Sequence, residues 1–181
     1  MKNARHKTLR LQNLEIEDET GAKRAILTAS QVCGTKLAFL DSHEVERINI
    51  GLLPSGAGAI ELFDVNGRIR MTASVGADGC PTVTLFDARQ ANRLSLHVST
   101  CNTVSIAMKD RRQRLRSLSG VDSEDSAFAS IHDSDGMSRV LLNVGPDGEP
   151  AISLQDKVGH PNAIISRRML VKSTRQGPKT G

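Results

Sequence analysis

Residues 60–75 read IELFDVNGRIRMTASV: two apolar-polar alternations on either side of the turn sequence Asp64-Val65-Asn66-Gly67. A period of two is typical of β-strands that bury one face. In the turn, the Asp carboxylate can accept backbone N–H groups, and Gly supplies the left-handed conformation that a three-residue hairpin loop requires. This stretch therefore predicts a β-hairpin.

The same pattern recurs seven times without an insertion, which defines seven repeats of 23 residues, numbered here by their aspartates. The aspartates are Asp18, Asp41, Asp64, Asp87, Asp110, Asp133 and Asp156. An arginine follows six residues after each of the first six: Arg24, Arg47, Arg70, Arg93, Arg116 and Arg139. Three residues after the aspartate, four repeats have a glycine, Gly21, Gly67, Gly136 or Gly159, and the other three have Glu44, Gln90 or Gln113. A spacing that stays at 23 residues over seven copies indicates a repeat architecture.

The links between the alternating segments are short in every repeat. Antiparallel neighbours can be joined by such turns, whereas parallel neighbours need a crossover of about a dozen residues or more. The sequence therefore predicts an all-β fold of seven two-strand repeats, an antiparallel hairpin meander curled into layers or an oligomer. The alternative is a β-solenoid, in which each strand stacks on its counterpart in the next repeat. In either case an apolar face must be covered, by a second layer or by another subunit.

Charge divides the chain into three predicted segments: a basic N-terminal tail at residues 1–10, the β-repeat domain at 11–165 and a basic C-terminal tail at 166–181. The first tail carries +4 and the second +5, so an overall charge of +4 leaves the interior at −5. The tails could contact nucleic acid, an anionic membrane or an acidic protein surface, or could act only as solubilising segments.

The repeats resemble short β-repeats of uncharacterised bacterial proteins, in which apolar-x-apolar-x-Asp-x-x-Gly-x-x-Arg recurs. The likeness covers residues 12–165 and implies a fold without implying an activity. One stretch, Phe63-Asp64-Val65-Asn66-Gly67-Arg68-Ile69, also resembles the YD repeats of Rhs-type toxins. That second likeness implies a curled antiparallel strip, with no encapsulating function carried over.

The titratable and nucleophilic side chains form no catalytic or metal-binding pattern, so the sequence predicts no enzyme, no metal and no cofactor. The histidines occupy unrelated repeat positions, and no pair of them has metal-ligand spacing. The aspartate column is interpreted as turn caps, and the arginine column as partners of nearby carboxylates or, alternatively, of an anionic ligand. Cys33, Cys80 and Cys101 are predicted to be free thiols, with a redox pair as the alternative.

Two sets of residues are candidate contact sites. Leu40, Phe63 and Phe86 each directly precede an aspartate, on the side away from the main apolar set, and form a candidate interface stripe. Repeat five crowds its turn with Arg111, Arg112, Arg114 and Arg116, a candidate anion-binding group. Its second strand brings Ser117 and Ser119 to the apolar face, so this repeat should be the least stable.

These features favour a non-enzymatic structural or adaptor protein that self-associates or docks into a larger assembly through its β-sheet surface. The alternative is a polyanion or nucleic-acid binder that uses the tails and the arginines of repeat five. The expected partners are a second copy or an assembly protein, with nucleic acid or an anionic surface reached through the tails. The odd cysteine count, the polar N-terminus and the lack of a long apolar run predict a cytoplasmic protein without a transmembrane segment.

Overall fold

The computed structural model describes residues 10–31, 34–53 and 55–166, and these residues form β-strands without any helix. The strands divide into two compact parts, with the boundary between Ala77 and Asp78. The first part contains β1 Asn13–Glu17, β2 Lys23–Ser30, β3 Gly34–Leu40, β4 Glu46–Leu52, β5 Gly58–Phe63 and β6 Ile69–Val75. The second contains β7 Pro81–Phe86, β8 Asn92–Val98, β9 Val104–Lys109, β10 Leu115–Val121, β11 Ala127–His132, β12 Ser138–Val144, β13 Pro150–Gln155 and β14 Pro161–Ser166.

The predicted hairpin meander is confirmed. Within each part every strand pairs antiparallel with its neighbours in the chain, in the order β1 to β6 and in the order β7 to β14. A solenoid would instead pair each strand in parallel with its counterpart in the next repeat. The short turns decide between the two, because they bring the chain straight back beside the strand that it has just left.

Each of the seven turns that begin at a repeat aspartate is a hairpin loop with a β-bulge. In repeat three, the Gly67 N–H donates to the Asp64 carbonyl at 3.0 Å, and the Asp64 N–H donates to the Arg68 carbonyl at 2.9 Å. The register then shifts between Leu62 and Phe63. Gly67 has φ +70°, the left-handed conformation expected for this position. Three repeats have no glycine at this position. Their residues Glu44, Gln90 and Gln113 adopt the same conformation, with φ between 59° and 64°.

Four of the turns that join successive repeats, those that begin at Leu53, Ser99, Asp122 and Gly145, have the same backbone hydrogen bonds. In one of them, the Asn102 N–H donates to the Ser99 carbonyl and the Ser99 N–H donates to the Thr103 carbonyl, both at 2.9 Å. The Asp122 turn closes in the same way. The strands between these turns therefore start and end in one turn geometry, which explains why the repeats keep their register.

Strand pairing sorts the side chains onto two faces, which we call the apolar face and the mixed face. On the apolar face of the second part, the central row runs across all eight strands through Val83, Leu96, Ile106, Ser119, Ala129, Leu142, Ile152 and Ile165. The corresponding row in the first part consists of Leu14, Leu27, Leu37, Ile50, Ile60 and Ala73. The residues between these positions point to the mixed face.

Burial is shallow throughout the described residues. The only buried apolar residues are Ala25, Ala38, Ala57 and Cys80, and no large side chain is fully buried. The best-buried of them, Ala38, lies on the mixed face. A single layer of sheet cannot enclose a core, since an apolar face is removed from water only when a second layer covers it.

Several sequence predictions fall outside the described residues. They comprise the basic tails, apart from Arg10 and Ser166, and the prediction for Cys33. The described part of the chain contains no helix that is long and apolar enough to cross a membrane.

Candidate functional site

The seven aspartates organise their turns in the same way. In each, Oδ1 accepts the backbone N–H groups of the residues two and four positions ahead, at 2.7 to 3.2 Å. In repeat four, the Asp87 carboxylate accepts from Arg89 at 2.9 Å and from Ala91 at 3.1 Å. These bonds satisfy two N–H groups that the bulged ladder leaves without a strand partner.

The second carboxylate oxygen of most of these aspartates faces the arginine of the same repeat. Arg24 donates from Nε to Asp18 Oδ2 at 2.7 Å, and Arg93 lies 3.4 Å from Asp87 Oδ2. Arg47, Arg70 and Arg139 make the corresponding ion pairs. The side chains of these pairs remain partly exposed, so each pair by itself contributes little stability.

The arginines also reach forward to the next repeat. Arg47 donates from Nε to the Phe63 carbonyl at 3.2 Å, and Arg116 to the His132 carbonyl at 3.0 Å. Arg24 and Arg139 donate instead from a terminal guanidinium nitrogen, to the backbone carbonyls of Asp41 and Asp156. We call this arrangement the Asp–Arg ladder: in repeats one, two, four and six, the guanidinium joins the turn of its own repeat to the turn of the next.

Repeats five and seven depart from the Asp–Arg ladder. In repeat five, Arg114 takes over the ion pair with Asp110 at 2.7 Å, while Arg116 keeps the forward contact. In repeat seven, Asn162 stands at the arginine position, and His160 Nδ1 lies 3.8 Å from Asp156 Oδ2. Repeat seven therefore has no arginine at the position that, in earlier repeats, donates to a carbonyl of the next repeat.

The hydrogen bonds in these turns favour the ionised carboxylates. The backbone N–H groups of Arg89 and Ala91 hold the pKa of Asp87 below its ordinary value. The Arg114 side chain lowers the pKa of Asp110 to about 2. The Thr20 hydroxyl and N–H also hold the pKa of Asp18 well below its ordinary value. Such carboxylates are poor general acids or bases near neutral pH, so this column suits a structural role.

The mixed face of the first part carries a polar cluster. Lys36 Nζ lies 2.7 Å from Glu46 Oε1, and Asn49 Nδ2 donates to Glu46 Oε2 at 3.0 Å. Burial disfavours the ionised Glu46, but the bonds from Lys36 and Asn49 outweigh it and keep the pKa of this carboxyl below its ordinary value. Asn49 is only 7% exposed, and its Oδ1 has no partner. Lys36, Asn49 and Glu61 line a shallow depression of about 160 Å³ beside Gly51.

Two thiols lie in the second part, in turns that join successive repeats. Cys101 is exposed and Cys80 is buried. The Ser99 and Thr103 hydroxyls, at 3.0 and 3.6 Å from the Cys101 sulfur, lower the pKa of that thiol to about 7. Burial raises the pKa of the Cys80 thiol. Of these two thiols, only Cys101 has the exposure and acidity of a reactive thiol.

The described residues hold no cluster of three or more His, Cys, Asp or Glu side chains that could ligate a metal ion. His132 shows how one histidine is used instead. Its Nε2 lies 2.9 Å from the Ser130 hydroxyl and its Nδ1 lies 3.0 Å from the Gly136 carbonyl, so the ring is tied into its own hairpin.

The predicted anion-binding arginines are divided by the structure. Arg114 is paired with Asp110 and Arg116 donates to the His132 carbonyl, so both stabilise the hairpin. Arg111 and Arg112 lie exposed in the turn. Binding of an anion by this group stays a prediction.

The predicted interface stripe lies on the mixed face. Leu40 and Phe63 belong to the first part and Phe86 to the second, and all three are half-buried. Their cross-strand partners are Glu46, Ile69 and Asn92. Their use as an interface stays a prediction, and most of the exposed apolar surface lies on the other face.

The apolar face of the second part carries more exposed large apolar side chains than the apolar face of the first part. Twelve of its large side chains are 36 to 54% exposed: Leu85, Leu96, Val104, Ile106, Met108, Val121, Ile131, Leu142, Val144, Ile152, Leu154 and Ile165. None of the paired strand residues on this face is charged. The mixed face of the same strands carries Lys109, His97 and His132, among other polar residues.

Comparisons with known proteins add no assignment: no family model matches the chain, and no curated protein matches it in sequence. The apolar face and the Asp–Arg ladder are therefore interpreted from their own geometry. The sequence predicted that the apolar face would be covered by a second layer or by another subunit, and it offered Leu40, Phe63 and Phe86 as a separate candidate interface. The apolar face can be recognised in the sequence from the absence of charge at every second strand position.

Proposed function

We propose that this chain is a non-enzymatic structural or adaptor protein that assembles through the apolar face of its β-sheet. The observation that carries the proposal is the row of large aliphatic side chains that remains more than a third exposed. Folded monomers seldom expose contiguous apolar patches of more than about 300–600 Å² unless the patch is a contact surface.

The rest of the described chain supports a structural role over a catalytic one. The aspartates of all seven repeats and the arginines of the first six bind backbone groups and one another, within a hairpin or from one hairpin to the next. The carboxyl pKa values of the first six aspartates, Asp18 to Asp133, are lowered further from neutral pH. The residues that the repeat keeps constant thus maintain a rigid sheet, which presents its faces to a partner.

The test combines the mass of the protein in solution with binding of the dye ANS, which reports exposed apolar surface. Assembly through the apolar face predicts a mass above the 19.5 kDa of one chain, with little dye bound. A 19.5 kDa monomer that binds the dye strongly would have a free face that awaits another protein, which also supports docking.

A 19.5 kDa monomer that binds no dye would overturn the proposal, since the face would then be covered within one chain. Retention on heparin that falls steeply with salt would favour the polyanion-binding alternative, because affinity for phosphate- or sulfate-rich chains depends on counterion release. An apolar assembly should keep its mass as the salt concentration rises.

A further inference from the structure

We infer that the occupant of the apolar face of the second part is the same face of a second copy, so that the protein forms a closed two-layer dimer. This inference rests on the proposed function and names the partner. Four observations carry it: the area of the face, its lack of charge, the length and charge of the outer strand β1, and the end of the Asp–Arg ladder.

The area fits a stable interface. Twelve large aliphatic side chains, each 36 to 54% exposed, present on the order of 800 Å² of apolar surface. A standard interface buries about 800 Å² on each partner. Two such faces therefore supply what a stable dimer needs, with no contribution from any other part of the chain.

The charge distribution fits a copy of the same surface. A partner with a charged surface would have to place unpaired charges against Leu96, Ile106 and Leu142, which offer no counter-charge. An identical uncharged face meets no such cost. Sheets that pack face to face interdigitate their side chains at a separation of about 10 Å, and the central row from Val83 to Ile165 supplies the ridge for this packing.

The outer strand β1 does not favour continuation of the sheet from copy to copy. Among the described strands, β1 pairs with β2 alone and β14 pairs with β13 alone. β1 is only five residues long and carries Glu15 and Glu17. Short edge strands and charged residues are usual means by which proteins prevent edge-to-edge pairing.

The Asp–Arg ladder gives a second argument against head-to-tail growth. In the earlier repeats an arginine donates to a carbonyl in the following turn, as Arg139 does to Asp156. At the corresponding position, Asn162 has a side chain too short for that contact. A second copy placed after β14 would therefore find no arginine in repeat seven to do what Arg139 does in repeat six. Association through the faces closes after two copies, whereas association through the edges would not close.

The experiment is light scattering on the full chain over a hundredfold range of concentration, with Leu142→Glu and Asn143→Glu as the matched pair. Both variants add one negative charge to β12, on adjacent residues that point to opposite faces. We expect the wild type and Asn143→Glu to have twice the mass of one chain. Leu142→Glu should raise the dissociation constant by roughly 100-fold or more, because each dimer buries two unpaired charges.

A positive test for a second copy is to mix Leu142→Glu with Leu142→Lys. Each variant alone should be monomeric, and the mixture should regain mass. If Leu142→Glu loses its β signal in circular dichroism, Ile131→Glu replaces it, since Ile131 is 54% exposed on the same face.

Three results would overturn the inference. They are a wild type that stays monomeric at every concentration, a dimer that Leu142→Glu leaves intact, and a mass that grows with concentration without a plateau. The last two leave the proposed function standing, since assembly would still occur. A monomer that binds ANS also spares the proposed function and rejects only the second copy as partner.

Discussion

Arg93 donates from Nε to the backbone carbonyl of Lys109, 2.8 Å away, while its guanidinium lies 3.4 Å from the carboxylate of Asp87. One side chain thereby joins two hairpins that are a whole repeat apart in the sequence. The contact requires a planar group with several donors, which arginine provides and lysine does not.

Arg93→Lys should therefore lower the melting temperature although it keeps the charge. The single ammonium cannot reach both the Asp87 carboxylate and the Lys109 carbonyl, and the loss of about 1 kcal/mol corresponds to roughly 2–4 °C. Thermal unfolding followed by circular dichroism measures the shift. Arg112→Lys, an exposed arginine in a turn, is the control and should leave the melting temperature unchanged.

Stability should fall as the solution is acidified below about pH 4. The pKa values of Asp18, Asp41, Asp64, Asp87, Asp110 and Asp133 are all lowered in the folded chain. The folded state then binds fewer protons than the unfolded state, whose aspartates titrate near pH 3.9. The contribution is complete above that pH and is lost as the pH falls through the folded values, about 2 for Asp110.

Urea unfolding at pH 2 to 7 measures this dependence. Asp110→Asn keeps an acceptor for the backbone N–H groups of Arg112 and Arg114 but cannot titrate, so its stability should vary less with pH. An equal pH dependence in the variant and the wild type would contradict the assignment of the effect to the turn carboxylates.

Gly120→Ala should destabilise the second part by about 1–3 kcal/mol. A Cβ atom at this position would lie 2.1 Å from the Val104 carbonyl oxygen and 3.0 Å from the ring of Phe128, so the neighbouring strands would have to move. Asn143→Ala changes the same position one repeat later, where a side chain is already present, and is the matched control. Equal urea midpoints for the two variants would show that the close approach at Gly120 has no energetic weight.

Cys101 should react with iodoacetamide much faster than Cys80. With a pKa of about 7, a large share of the exposed Cys101 is thiolate at neutral pH, whereas the buried Cys80 is held as the thiol. Mass spectrometry after brief labelling of a Cys33→Ser variant measures both sites. Ser99→Ala removes the hydroxyl at 3.0 Å and should slow the labelling of Cys101 at pH 7.

Repeat five should open first. Its apolar face presents Ser117 and Ser119 to Met108 and Ile106, so less apolar surface is buried there than between the aliphatic strands. Trypsin should cut after Arg112 before it cuts after Arg89, which occupies the same turn position one repeat earlier and is equally exposed. Ser119→Val should remove most of this difference, and its failure to do so would assign the cleavage to the turn alone.

The fold could be predicted because its determinants are local. The turn at Asp64 to Gly67 and the alternation on either side of it specify a hairpin, and the constant spacing specifies the next one. The forward contact of the arginines could not be predicted, because it joins Arg47 to a backbone carbonyl and a carbonyl has no sequence signature. The burial of each face could not be predicted either. Alternation assigns Leu40 and Ile50 to opposite faces, but which of the two stays in water depends on the packing of the sheet as a whole.

The alternation of two kinds of turn also constrains the ancestry of such chains. Turns begin at Asp87, Ser99 and Asp110, so the spacing is 12 and then 11 residues, and only the first and third belong to the Asp–Arg ladder. Gain or loss of a single strand would reverse the direction of every later strand and move the ladder to the opposite edge. Gain or loss of two strands preserves both. Genes for arrays of this type should therefore lengthen and shorten in steps of 69 nucleotides, the coding length of one 23-residue repeat.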